Sequence, residues 1–175
     1  MSHSNVLVVG GGCAGIAVAS RIHSLRSDLD ISIIEPSEKS LYQAAWTLVG
    51  AGAYDVGDTI KPMSEVMPSY VKWIKEYAEE FMPDTNSVKT NNGTYTYDYL
   101  VVCPGLKLNF DGVTGLKESL GKNNVCTNYS AEMATYTWDC LKNLKGGTLL
   151  FTEPPMPIKC AGAPQKIAYL AADHL

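Results

Sequence analysis

Long apolar runs are missing from this sequence, and none approaches the roughly 18 residues that a membrane-spanning helix needs. Basic excess is missing too: 14 Lys and Arg stand against 18 Asp and Glu, for a net charge of -4. Nucleic-acid binders carry a basic face, so no nucleic-acid partner is expected. Met1-Ser2-His3-Ser4-Asn5 leads straight into an apolar run, so no signal or transit peptide is expected at this N-terminus. Cysteine is sparse and odd in number, five in 175 residues, which speaks against a secreted disulfide scaffold. His3, His23 and His174 have no ligand-like spacing, and no metal is expected. Internal repeats and low-complexity segments are absent as well. What is there is an ordinary globular balance, 46% hydrophobic and 18% charged, at a length that suits one domain or one domain and part of another.

Val6-Leu7-Val8-Val9 reads as a buried parallel strand. A turn at Gly10 to Gly15 follows, then a helix over Ile16 to Leu25 with Ile16, Ala19, Ile22 and Leu25 toward one side. Ile31 to Glu35 reads as a second strand, which makes a βαβ unit and an α/β class with a doubly wound sheet. Pro62 opens a short helix ending before Pro68, and Val71 to Phe81 reads as a strand. Asn91-Asn92-Gly93 is a hairpin turn, and Leu100-Val101-Val102 is a buried strand stopped by Pro104-Gly105. Ser130 is placed to cap a helix over Ala131 to Leu144 with Gly146-Gly147 as its stop. Thr148 to Thr152 reads as a strand, and Pro164 suits the first turn of a last helix. That helix is expected to be still running at Leu175, in the N-terminal part of a longer protein.

Gly10-x-Gly12-x-x-Gly15 lies between the first strand and the first helix. In such a turn the first glycine permits the tight bend, the second lets the backbone approach a pyrophosphate, and the third lets helix and strand pack closely. The helix N-terminus offers N–H donors and a partial positive charge to the phosphates. Glu35 ends the second strand, 20 residues after Gly15, where a carboxylate accepts hydrogen bonds from ribose hydroxyls. It would also repel a 2′-phosphate, which argues against NADP. A glycine-rich turn without a ligand is the alternative, but strand, turn, helix and acid all fall in register for a dinucleotide.

Cys160 stands a few residues before a helix start, between Lys159 and Lys166, in a loop stiffened by Pro154, Pro155 and Pro157. Helix start and lysines both favour thiolate over thiol. The alternative is a buried structural cysteine. Cys140, beside Trp138 in its helix, reads as a core residue.

Two sets of residues carry a resemblance. Tyr97 to Gly105 looks like the second flavoprotein segment, a strand ending in a small-x-Gly turn, with Cys103 and Pro104 replacing the usual small residue and Thr. Pro157-Ile158-Lys159-Cys160-Ala161-Gly162-Ala163-Pro164-Gln165-Lys166 resembles the active-site loop of sulfide:quinone oxidoreductases, the eukaryotic mitochondrial type especially. Glu35-Pro36-Ser37-Glu38, Tyr42-Gln43, Trp46 to Gly52, Pro68-Ser69, Trp73-Ile74 and Asn128-Tyr129-Ser130 are similar to that type as well.

The resemblance implies a Rossmann-like FAD-binding domain over residues 1–110, followed over 111–175 by the start of a second Rossmann-like domain carrying the cysteine loop. It implies FAD as cofactor, contacted by Gly10, Gly12, Cys13, Ala14, Gly15, Glu35, Gln43, Ala78 and Gly105. It implies that Cys160 accepts sulfur as a persulfide, with Lys159 and Lys166 near the anionic substrate. It implies a partner cysteine beyond Leu175 that passes electrons to the flavin, and a quinone that receives them from reduced flavin. Sulfide, a small sulfur acceptor and a quinone are then the partners, on a protein peripheral to the mitochondrial inner membrane. Two other functions stay open. A type II NADH dehydrogenase would need a second Gly-x-Gly-x-x-Gly after Thr148–Thr152, where this chain has Glu153-Pro154-Pro155-Met156-Pro157. Prolines lack the N–H donors of a phosphate cradle. A catalytically inactive fragment is the other.

Overall fold

The computed structural model describes residues 2–175. The chain divides into two compact units, one holding residues 2–41 and Lys61–Lys107, the other Tyr42–Ile60 and Leu108–Leu175.

The first unit is built on strands β1 (Ser2–Val9) and β2 (Ile31–Ile34), joined by helix α1 (Cys13–Leu25). Strands β3 (Lys39–Leu41) and β4 (Ile60–Pro62) form a small two-stranded sheet. Helix α2 (Trp46–Gly50), between β3 and β4 in sequence, belongs to the second unit, and α3 (Met63–Val66) is one turn long. β5 (Val71–Ile74), β6 (Ala78–Met82), β7 (Ser87–Thr90) and β8 (Thr94–Val102) complete a six-stranded sheet in the order β5-β2-β1-β8-β7-β6. β5, β2, β1 and β8 run parallel, and β8, β7 and β6 are antiparallel.

β1 lies in the middle of the parallel part, so both its faces need covering. Alternate residues therefore serve two cores. Leu7 and Val9 pack with Ile34, Ile74, Val88 and Tyr97 on one face. Val6 and Val8 pack with Ile31, Ile33 and Ala19 of α1 on the other. α1 covers this second face with Ile16 and Ile22 beside Ala19, as its helical spacing predicts. Leu25, expected on the same side, is exposed, because α1 ends there and Arg26 turns the chain away.

The expected single strand over Val71 to Phe81 is two strands. The chain leaves the parallel sheet after Ile74, and Lys75–Tyr77 link it to the antiparallel meander. That link is held by polar contacts: Asn91 Oδ1 accepts the Tyr77 N–H at 2.8 Å, and Glu76 accepts from the Tyr95 hydroxyl at 2.9 Å. The hairpin at Asn91-Asn92-Gly93 forms as expected, closed by Thr90 N–H to Gly93 O at 2.8 Å.

The second unit contains α2, α4 (Leu116–Ser119), α5 (Ala131–Lys142) and α6 (Gly162–His174). Trp46 and Val49 of α2 pack on Ala134 of α5, and Leu141 of α5 packs with Ile167 and Ala171 of α6. Gly52, just past α2, has φ +73, and a Cβ there would lie 2.5 Å from the Trp138 ring. α5 ends at Lys142 rather than Leu144, and Ser130 caps it through its backbone carbonyl with no side-chain bond. α6 places Pro164 in its first turn as expected.

Thr148–Thr152 is not a strand. A strand exists only when a neighbour takes its backbone hydrogen bonds, and no described residue pairs with this segment. Its apolar side chains are left outward, Leu150 being 85% exposed.

Candidate functional site

β1 delivers the chain to the glycine turn. Gly10 donates its N–H to Ile34 O at 2.9 Å, and its φ of +103 turns the backbone back toward α1. A Cβ at Gly10 would lie 2.0 Å from Cys103 O, at the end of β8. A Cβ at Gly15 would lie 1.9 Å from Gly10 O, so only glycine lets α1 start this close to β1. Gly12 differs: a Cβ there would meet nothing within 4 Å. Its backbone is bare toward open space at the head of a 13-residue helix. Gly12 O takes the first intrahelical bond, from Ile16 N–H at 3.0 Å. The amides of Cys13, Ala14 and Gly15 therefore precede the helical ladder and point to the positive end of α1, whose first turn holds no acidic residue. Cys13 and Ala14 are exposed there.

Glu35 follows β2 and is held from four directions. One carboxylate oxygen accepts the Gly11 N–H at 2.8 Å and the other accepts the Ser37 N–H at 2.7 Å. Its backbone N–H donates to Ile74 O at 2.9 Å, and its carbonyl accepts the Trp73 indole N–H at 2.8 Å. Each carboxylate oxygen keeps a lone pair for a further donor such as a ribose hydroxyl. An oriented acid beside bare backbone at a helix head fits the diphosphate and ribose of a dinucleotide.

The remaining expected contacts divide between the units. Ala78 opens β6 and packs against the first core. Gly105, at φ +74, is exposed in the loop after β8. Gln43 is exposed at the start of a short turn, Gln43–Ala45, and belongs to the second unit, as does Cys160.

Cys160 is exposed, not buried, and stands two residues before α6. Its φ of +58 lies in the left-handed region that non-glycine residues seldom adopt. Its carbonyl accepts two hydrogen bonds, from Ala163 N–H at 3.0 Å and from the Tyr129 hydroxyl at 3.3 Å. Burial, with Cys160 and Glu153 as neighbours, pushes the Tyr129 phenol up. Lys159 is half-buried and Lys166 exposed.

Two features lie beyond the sequence reading. Tyr129 holds the Cys160 loop, which no local spacing announces across 31 residues. Cys140, expected in the core, is half-buried and shares Asn124 with Cys126. The signal for this was the i, i+4 spacing of Tyr136 and Cys140, which puts both on one face of α5.

The sequence profile described as pyridine nucleotide-disulphide oxidoreductase matches residues 4–135. A protein named mitochondrial sulfide:quinone oxidoreductase from Dictyostelium discoideum is 45% identical over 175 residues, 98% of this chain and 39% of that protein. A type II NADH:quinone oxidoreductase from Staphylococcus haemolyticus is 32% identical over 117 residues, 65% of this chain and 29% of that one. In three dimensions the chain is similar to the sulfide:quinone oxidoreductase of Aquifex aeolicus, with a TM-score of 0.64 and 33% identity over 81% of this chain and 32% of that one. The chain thus spans about two fifths of the length of the sulfide:quinone relative from Dictyostelium. By the profile that covers most of its length, the chain belongs to the pyridine nucleotide-disulphide oxidoreductase family.

Proposed function

We propose that this chain is the N-terminal part of an FAD-dependent sulfide:quinone oxidoreductase. One observation carries the reading. The similarity to the mitochondrial relative extends over 98% of the chain and so includes the Cys160 loop, whereas the NADH-type relative accounts for 65%. Residues 1–110 are assigned to an FAD-binding domain and 111–175 to the start of a second Rossmann-like domain.

Gly10, Gly12, Cys13, Ala14 and Gly15 would hold the diphosphate, Glu35 the ribose, and Gln43, Ala78 and Gly105 other parts of FAD. Bound FAD supplies a two-electron carrier. The residues around it bind and orient. The α1 amides would meet the anionic diphosphate oxygens, and Glu35 is already held by the Gly11 and Ser37 amides. Cys160 is the sulfur-accepting cysteine, with Lys159 and Lys166 drawing the anionic substrate toward it. A small thiol or sulfite then takes the sulfur, and a quinone takes the electrons.

The full-length protein is assigned to the mitochondrial inner membrane as a peripheral protein. Among the described residues no helix is long and apolar enough to cross a membrane. The test uses the full-length protein with sulfide and a soluble quinone. The parent should bind FAD and reduce the quinone in a sulfide-dependent way. Cys160→Ser should keep the flavin and lose that activity. Reduction of the flavin by NADH as fast as by sulfide would favour the type II NADH dehydrogenase reading instead.

A further inference from the structure

Residues 121–129 form a tight segment seated on α5. Lys122 and Val125 are bridged across two successive left-handed asparagines, Asn123 at φ +51 and Asn124 at φ +64. This is the pattern of a two-residue primed turn. The tip is pinned to α5, where the Tyr136 hydroxyl accepts the Asn124 N–H at 3.2 Å. Two thiols then converge on the same asparagine. The Cys126 thiol contacts Asn124 O at 3.5 Å, and the Cys140 thiol contacts Asn124 Oδ1 at 3.7 Å. Both are half-buried, so a small reagent reaches them.

We propose that Cys126 and Cys140 are a redox-active dithiol that closes to an intramolecular disulfide, independently of Cys160. The oxidant is a low-molecular-weight disulfide, RSSR. Burial, with Cys140 beside it, pushes the Cys126 thiol up to about 12. One order of closure begins at Cys140. Its sulfur, having lost its proton, bonds to one RSSR sulfur; the S–S bond breaks and RS⁻ leaves with that proton. Cys126 then loses its proton, bonds to the Cys140 sulfur and expels the second RS⁻. The two cysteine thiols and RSSR become one protein disulfide and two RSH: the cysteines give up two electrons and two protons, and RSSR takes both.

The two sulfurs share Asn124 as a partner, one on its carbonyl and one on its side chain, which brings both thiols to one point beside α5. The product ties the turn covalently to α5. It lies three residues before Tyr129, which holds the Cys160 carbonyl, so the bridge stiffens the support of that loop.

The experiment treats the intact chain with oxidised glutathione, blocks remaining thiols with iodoacetamide and digests with trypsin without reductant. Both cysteines fall on one peptide, because no Lys or Arg lies between Lys122 and Lys142. That peptide should emerge unalkylated and two hydrogens lighter than its reduced form, while Cys160 is alkylated or carries glutathione and is joined to neither cysteine. A cut after Glu132 should leave the halves joined. The bridge should form on the order of tenfold faster in the native chain than in denaturant, through effective concentration. Cys160→Ser should form it as the parent does, and Cys126→Ser should stop at a glutathione adduct on Cys140. Double alkylation of the peptide, pairing of either cysteine with Cys160, or equal rates in native and denatured chain would overturn the proposal.

Discussion

The two units carry their candidate chemistry in opposite ways. In the first, the glycine turn and Glu35 rest on parallel strands whose backbone bonds are taken by neighbours on both sides, with Val6 to Val9 and Ile31 to Ile34 all buried. In the second, Cys160 sits at the end of a long irregular stretch and is held by side chains and single hydrogen bonds. The difference is one of redundancy. A sheet-borne turn has many bonds to lose before it moves. A loop-borne cysteine depends on Tyr129 and on the helix that follows.

The largest effect expected from this contrast is at Gly15. Gly15→Ala drives a Cβ into Gly10 O and should cost about 3–5 kcal/mol, seen as loss of a cooperative thermal melt. Gly12→Ala meets open space and should leave the melt unchanged while weakening FAD binding. If the two variants behaved alike, the division between a packing glycine and a ligand-facing glycine would fail.

Next is Glu35→Arg in the full-length protein. It removes the acceptor for the Gly11 and Ser37 amides as well as for ribose, and should weaken FAD binding by about 2–4 kcal/mol. Stoichiometric flavin surviving dialysis would count against the site. In the second unit, Gly52→Ala meets the Trp138 ring and a positive φ together, and should cost about 2–3 kcal/mol in denaturant titration. Its cost should fall on the second unit, so hydrogen exchange should rise in α5 before it rises in β1.

Tyr129→Phe deletes one bond to the Cys160 carbonyl and should cost about 1 kcal/mol or less, read as faster alkylation of Cys160 with the melt nearly unchanged. The smallest effect expected is at Cys126. A thiol whose folded value is raised contributes stability below the unfolded value and loses it as pH climbs to the folded one. The contribution of Cys126 should therefore fade between about 9 and about 12. Cys126→Ser should flatten that part of the pH–stability curve. An unchanged curve would show that burial of this thiol is weaker than its partners imply.

Much of the first unit was legible because its signals are local. An apolar run, a glycine turn, an amphipathic helix and an acid at the next strand's end are all read within 35 residues, and the hydrogen bonds that realise them join the same short segments. The break at Lys75–Tyr77 was not legible, since what ends β5 is the pull of Asn91 and Tyr95 from the hairpin. The segment Thr148–Thr152 has strand composition, yet composition supplies no neighbour, and pairing is what makes a strand.

The cysteines divide along the same line. Cys160's place before a helix start, between lysines, is a property of the chain order alone. Whether it is exposed, and that Tyr129 supports it, depends on contacts across 31 residues. Cys126 and Cys140 stand 14 positions apart with no motif between them, and only the primed turn at Asn123-Asn124 folding back on α5 brings their sulfurs to one asparagine. Sequence determined what is written in short-range periodicity and spacing; tertiary structure decided what needs two distant segments to meet, because the chain carries no local record of the partner that completes a contact.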